Sequence, residues 1–169
     1  LGAMHALVGA ATRVVFIANP NNPTGTWLTD NELREFISSL PSHVMVVVDE
    51  AYFEYVVQEH YMDSVPWLEE FPNLIVTRTF SKAYGLAGLR VGYAMASSAV
   101  IDILDRIRDS YNVNRLSQAG AMAALGVVGW VMYSRELKQR REGAPPPAVI
   151  SPSDCRTGSL RSPCSFARG

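Results

Sequence analysis

Little in this chain marks it for metals, membranes or nucleic acid. Its two cysteines, Cys155 and Cys164, both fall in the last fifteen residues, and neither has a Cys or His neighbour at metal-ligand spacing. The three histidines, His5, His43 and His60, stand apart from one another and read as surface or edge positions rather than ligands. Charged residues make up only 18% of the chain, with a net charge of −1, so no global field points to nucleic acid or an anionic membrane. The longest uncharged apolar run, Ala119 to Tyr133, has fifteen residues, short of the ~20 that cross a bilayer; it reads as a buried helix. The N-terminus lacks a basic region followed by an apolar stretch and a small-residue cleavage site, so no secretory signal is expected. A core free of cysteine fits the reducing cytosol, and the expected location is cytoplasmic. No internal repeat is present. Gly85, Gly88 and Gly92 have neither the spacing nor the acidic follow-up of a dinucleotide fingerprint.

What is present is an ordinary globular composition, 48% hydrophobic over 169 residues, enough for one domain with a real core. Residues 1–12 carry a loose helical pattern through Met4, Leu7 and Val8. Val14 to Ala18 is a continuous apolar run, read as a strand covered on both faces, and it ends in the turn-forming Asn19-Pro20-Asn21-Asn22-Pro23-Thr24-Gly25. Thr29-Asp30-Asn31-Glu32 is a capping-box pattern. Leu33, Phe36, Ile37 and Leu40 follow at helical spacing, and Pro41 closes the helix. Val44 to Val48 is a second buried strand ending at Asp49-Glu50, and Leu74 to Val76 is a third. Val91 to Met95 makes a short fourth. Ser97 or Ser98 is expected to cap a helix carrying Val100, Ile101, Leu104, Ile107 and Tyr111 on one face, and Ser117 to open another through at least Leu125.

Strand, helix, strand, link, strand predicts an α/β fold, a three-layer αβα arrangement around a mostly parallel sheet. Ligands of such sheets bind beyond the carboxyl ends of the strands. Asn22, Asp49 and Lys82 all sit just past such ends, so three polar groups from separate segments converge on one edge. Lysine is the side chain suited to carbonyl chemistry. Thr79, Ser81 and Arg90 around it add hydroxyl donors and a fixed charge that suit a phosphate. Trp27, Trp67 and Trp130 read as packing residues, and Asn112 and Asn114 as candidates for polar contact.

Three ordered segments carry a resemblance: Asn19 to Gly25; Asp49-Glu50-Ala51-Tyr52; and Thr79-Phe80-Ser81-Lys82 with Arg90 downstream. Together they resemble the fold-type I pyridoxal-phosphate aminotransferases, and within them the histidinol-phosphate aminotransferases, over about residues 8 to 125. The resemblance implies pyridoxal 5'-phosphate as cofactor and a homodimer. Its reaction would move an amino group between histidinol phosphate and 2-oxoglutarate, in histidine biosynthesis. It implies that Lys82 holds the cofactor and shuttles a proton, that Asp49 pairs with the pyridine nitrogen, and that Tyr52 and Asn22 bond the phenolic oxygen. Thr79, Ser81 and Arg90 would bind the phosphate. No metal is implied. Relatives of other specificity, aromatic-amino-acid aminotransferases and phosphate-ester decarboxylases, share nearly the same motifs.

The family's phosphate loop and ring-stacking aromatic, which precede these motifs, are missing from the sequence, as is the small domain whose arginine binds the substrate carboxylate. The expected organisation is therefore a partial cofactor-binding domain over 1–126 and a divergent tail over 127–169, irregular or disordered from about 143, where Pro, Gly and Ser dominate. A shifted reading frame would produce such a tail. A non-catalytic remnant is the competing expectation to an enzyme.

Overall fold

The structure, a computed structural model, describes residues 1–58 and 60–143; at 128, 129 and 132–143 it describes the backbone alone. The chain divides into two units, Leu1–Val127 and Val128–Gly169. In the first, a short helix α1 (Gly2–His5) precedes β1 (Val14–Ala18), α2 (Asp30–Ser39), β2 (Met45–Asp49), β3 (Leu74–Thr79), β4 (Gly92–Ala96) and α3 (Ser98–Ile107). The helix α4 is assigned over Arg115–Gly143, and its later part is what is described of the second unit. The expected disorder beyond about 143 lies outside the described residues.

The four strands lie in sequence order, with β1, β2 and β3 parallel and β4 antiparallel to β3. The mostly parallel α/β sheet foreseen from the strand pattern is therefore present. In register, Ala18 lies opposite Asp49 and Asp49 opposite Thr77, so the polar strand ends are level. One crossover, β1 to β2, uses α2. That helix forms where the sequence places it because Thr29 accepts from the Glu32 amide at 3.2 Å while the Glu32 carboxylate accepts from the Thr29 amide at 2.9 Å. It ends as Leu40 turns extended before Pro41. Leu33, Phe36 and Ile37 from its inner face pack on Val15, Ile17, Val46, Val48, Leu74 and Val76 to make the core.

Four expectations need correction. β1 alternates instead of being covered on both faces: Val15 and Ile17 are buried, whereas Val14 and Phe16 are 44% and 69% exposed. An apolar run states which faces suit burial; within the described chain nothing covers the second face here. The Ala119–Tyr133 run is helical, but none of its described side chains is buried; Met122 and Val127 are 75% and 62% exposed. Tyr111 does not extend the α3 face: Arg108 leaves helical geometry, and Tyr111 sits at φ 62° with its side chain in solvent. Ser97 holds the N-cap position of α3 without a side-chain cap, because its hydroxyl donates instead to the Pro72 carbonyl at 3.1 Å. Among the tryptophans, Trp67 is buried, Trp27 meets Tyr61 edge-on at 6.5 Å and Trp130 is largely exposed.

Candidate active site

The loop after β1 is closed at its base by a buried asparagine. Asn19 Oδ1 accepts from the Leu28 amide at 2.8 Å and its Nδ2 donates to the Leu28 carbonyl at 3.3 Å, which mimics a strand pair and cinches the segment between. The Tyr61 hydroxyl donates to the Asn19 carbonyl at 2.7 Å. Burial, followed by the negative charge of Glu50, holds that hydroxyl well above the usual tyrosine range. From this closed loop Asn22 Nδ2 donates to the Tyr52 hydroxyl at 2.9 Å, joining the ends of β1 and β2.

Asp49 ends β2 on the same face. Its Oδ1 accepts from the Ala51 amide and from Thr77 Oγ1, each at 3.2 Å, and its side chain is exposed. The first contact is a short Asx-type turn that starts the bend toward Tyr52. A cavity of about 320 Å3 lies between these groups, lined by Ala18, Pro20, Asn22, Asp49, Tyr52 and Lys82, with Ala51 beside them. A wider cleft of about 370 Å3 shares Asn22 and Tyr52 and runs on past Trp27 and Tyr55, but Lys82 does not line it.

Lys82 is delivered by the turn that follows β3. Phe80 is buried against Tyr84 and Tyr93, with ring centroids 5.0 and 5.4 Å away, and it anchors the chain between Thr79 and Ser81. Thr79 Oγ1 accepts from the Ser81 amide at 3.1 Å. The Gly85 amide donates to the Lys82 carbonyl at 2.9 Å, and Gly85 itself sits at φ 67°, a turn open to glycine at little cost. Lys82 is exposed, its Nζ 5.1 Å from the centre of the Tyr52 ring. Gly92 lies opposite Thr79, where a Cβ would stand 2.8 Å from the Arg78 carbonyl oxygen, so the strand pair here closes only on glycine.

Arg90 has a left-handed backbone, φ 51° and ψ 51°, uncommon for a residue with a Cβ and typical of functional turns. The turn is held from below by Ser117, whose buried hydroxyl donates to the Leu89 carbonyl at 2.6 Å. Asn114 accepts from the Ser117 amide at 2.8 Å and Asn112 accepts from Arg108 at 3.2 Å, so both asparagines have local structural partners. Arg90 donates to the Ala87 carbonyl at 3.0 Å and is exposed.

Asn22, Asp49, Tyr52 and Lys82 thus line one cavity. Thr79 and Ser81 precede Lys82 directly, and Arg90 stands on the next turn outside that lining. Sequence reasoning passed over Thr77, which shares Asp49, and a buried ion pair beneath the site. Glu50 is 1% exposed, and its Oε2 accepts from Arg78 Nε at 3.0 Å and Nη2 at 2.7 Å. The signal was available: Glu50 and Arg78 each stand next in sequence to a facing pair, Asp49 and Thr77, and hence point to the opposite side of the sheet.

The sequence profile of the family described as aminotransferase class I and II matches residues 2–143. The chain belongs to this family. A histidinol-phosphate aminotransferase 1 from Cupriavidus pinatubonensis is 52% identical over 139 residues, covering 82% of this chain and 37% of that relative. A histidinol-phosphate aminotransferase 2 from Methylococcus capsulatus is 58% identical over 131 residues, 78% of this chain and 35% of its own. Among solved structures, the histidinol-phosphate aminotransferase of Sinorhizobium meliloti in complex with pyridoxal-5'-phosphate superimposes with a TM-score of 0.65 at 36% identity, covering 72% of this chain and 33% of that one. This aminotransferase chain therefore spans somewhat over a third of the length of these relatives. The family match also runs past residue 125, where the motif resemblance ends. Among the described residues no His, Cys, Asp and Glu cluster is set to hold a metal, and no helix is long and apolar enough to cross a membrane.

Proposed function

We propose that this chain carries the cofactor-holding part of a pyridoxal-phosphate aminotransferase that acts on histidinol phosphate with 2-oxoglutarate. The observation that carries the reading is the single cavity lined by Asn22, Asp49, Tyr52 and Lys82, with the Asn22–Tyr52 bond across its wall. The donor set suits the cofactor part by part. Asp49 offers a carboxylate to a basic ring nitrogen and keeps its proton in place. The Asn22 amide and Tyr52 hydroxyl are already joined and would hold a phenolic oxygen. Thr79, Ser81 and Arg90 offer hydroxyls and a guanidinium to the phosphate.

Pyridoxal phosphate, when bound, supplies an electron sink for the bond at the amine-bearing carbon of a substrate. Lys82 would hold the cofactor's carbonyl group through Nζ, and as a free amine the same Nζ would accept the proton of the substrate's amine-bearing carbon and return it. Tyr52 and Asn22 would hold the cofactor's phenolic oxygen, and Asp49 would hold its ring nitrogen. The choice of histidinol phosphate is supported by relatives of that name at about half identity, against the aromatic-amino-acid and decarboxylase readings. We also propose a homodimer, which sedimentation velocity would test.

The test mixes the purified chain with pyridoxal phosphate. A visible absorption band that is absent in Lys82→Ala supports the site, and no band in either form overturns it. A band without amino transfer would favour the non-catalytic reading.

A further inference from the structure

Directly under the cofactor wall lies the buried polar network that the proposed chemistry does not use. Glu50 accepts from Arg78 through Oε2 in a two-pronged pair, and through Oε1 from the Ser64 amide at 3.0 Å. Arg78 Nη2 also donates to Asp63 at 2.6 Å, and the guanidinium carbon lies 4.0 Å from the centre of the Phe53 ring. Burial opposes the guanidinium charge, but the Glu50 hydrogen bonds, the Glu50 charge and Asp63 outweigh it and hold Arg78 above its ordinary value. Three members of this network adjoin site residues in the chain. Glu50 follows Asp49, the last residue of β2, and Arg78 stands between Thr77, which bonds Asp49, and Thr79. Phe53 follows Tyr52 in the turn.

We infer that Glu50 and Arg78 are positioning residues: from the opposite face of the sheet they set the placement of Asp49, Glu50 as its chain neighbour and Arg78 through Thr77, and with it the contact of Asp49 with the ring nitrogen of the cofactor. A buried carboxylate and a largely covered guanidinium are paired here where two apolar residues would pack with less desolvation. Retaining them fits a demand for fixed geometry rather than for stability. A planar guanidinium held through both Nε and Nη2 resists rotation in a way a lysine ammonium does not, and misplacement by about 1 Å at such a site costs up to about a hundredfold. The inference rests on the cofactor reading above.

The test compares pyridoxal phosphate with its analogue in which carbon replaces the ring nitrogen, using absorbance titrations of the parent chain, Glu50→Gln, Asp49→Asn and the double variant. The expected result is that Glu50→Gln weakens pyridoxal phosphate by about tenfold or more, within the span reported for outer positioning partners, while affinity for the carbon analogue changes less than about twofold. Added to Asp49→Asn, Glu50→Gln should have no further effect, the mark of one shared path. Arg78→Lys, which keeps charge but loses the fork, should show the same pattern at smaller size, and it carries the test if Glu50→Gln does not fold. Equal losses for both compounds, or none for either, overturn the inference and leave the cofactor reading standing. A parent chain with no Lys82-dependent binding of either compound defeats the reading itself, and the inference falls with it.

Discussion

Replacing Tyr61 by phenylalanine removes one oxygen and tests how the Asn22 loop is held. The lost contact is the 2.7 Å donation to the Asn19 carbonyl, at the base of the loop that Asn19 and Leu28 close. A hydrogen bond of this kind contributes about 0.5–1.5 kcal/mol net, and leaving its carbonyl unpaired raises the cost toward about 2 kcal/mol. The hydroxyl is also shifted upward by burial and by Glu50, so the fold prefers its neutral form. Its contribution is therefore complete below the ordinary tyrosine value of about 10 and is lost as pH rises from there toward the higher folded value. The ceiling is about 1.4 kcal/mol per pH unit; partial exposure and solvent screening reduce it. Urea unfolding at pH 7, 9, 10 and 11 should show the parent losing stability above pH 10 faster than Tyr61→Phe, so the two curves converge from a gap of about 1–2 kcal/mol at pH 7. Parallel curves across pH 9 to 11 would refute the argument.

Thr29→Ala should cost about 1 kcal/mol by removing the α2 cap. The Thr29 amide and hydroxyl hold Glu32 below its ordinary value, so this contribution is present above the usual carboxylate range and fades as pH falls through the folded value; the gap between variant and parent in urea midpoint should shrink toward pH 3. Leu74→Ala, at a site with no exposure, should cost about 2–5 kcal/mol. Phe16→Ser, on the open face of β1, should change stability by less than about 0.5 kcal/mol while lowering binding of an apolar dye; a large loss would mean that this face is covered in solution. Asn22→Ala and Tyr52→Phe should weaken pyridoxal phosphate by similar factors and be less than additive together, as expected for two ends of one bond; full additivity in the titration would contradict a shared role.

The strand ends were legible because two kinds of pattern agreed there. Apolar runs marked β1, β2 and β3, and polar residues came at or just past the end of each, which placed Asn22, Asp49 and Lys82 on one edge. The Thr29–Glu32 box was legible because its two bonds are local and depend on spacing alone. Phe16 was misread for a physical reason: hydrophobicity states what a face would bury against, and the partner surface is a property of the whole assembly of elements. Glu50 and Arg78 drew no reading of their own, because charge alone does not report burial; the alternation that sets them on the inner face carries meaning only once β2 and β3 are paired. Ser97 and Ser117 were both read as helix openers, yet each spends its hydroxyl on a distant carbonyl, of Pro72 and Leu89. Asn114 supplies the cap expected of Ser117. Side-chain bonds over such distances follow from the packed fold and leave no local mark.

The central claim is that one amine, at the end of β3, holds the cofactor. The sequence makes it unusually accessible to test, because the chain has only two lysines, Lys82 and Lys138. Incubating the chain with pyridoxal phosphate, reducing with borohydride and mapping the modified peptide by mass spectrometry reads the site directly. The account predicts one stoichiometric label on Lys82, formed at low cofactor concentration and abolished by Lys82→Ala. Labelling of Lys138 or the terminal amine to the same extent, or no label on Lys82, would contradict it.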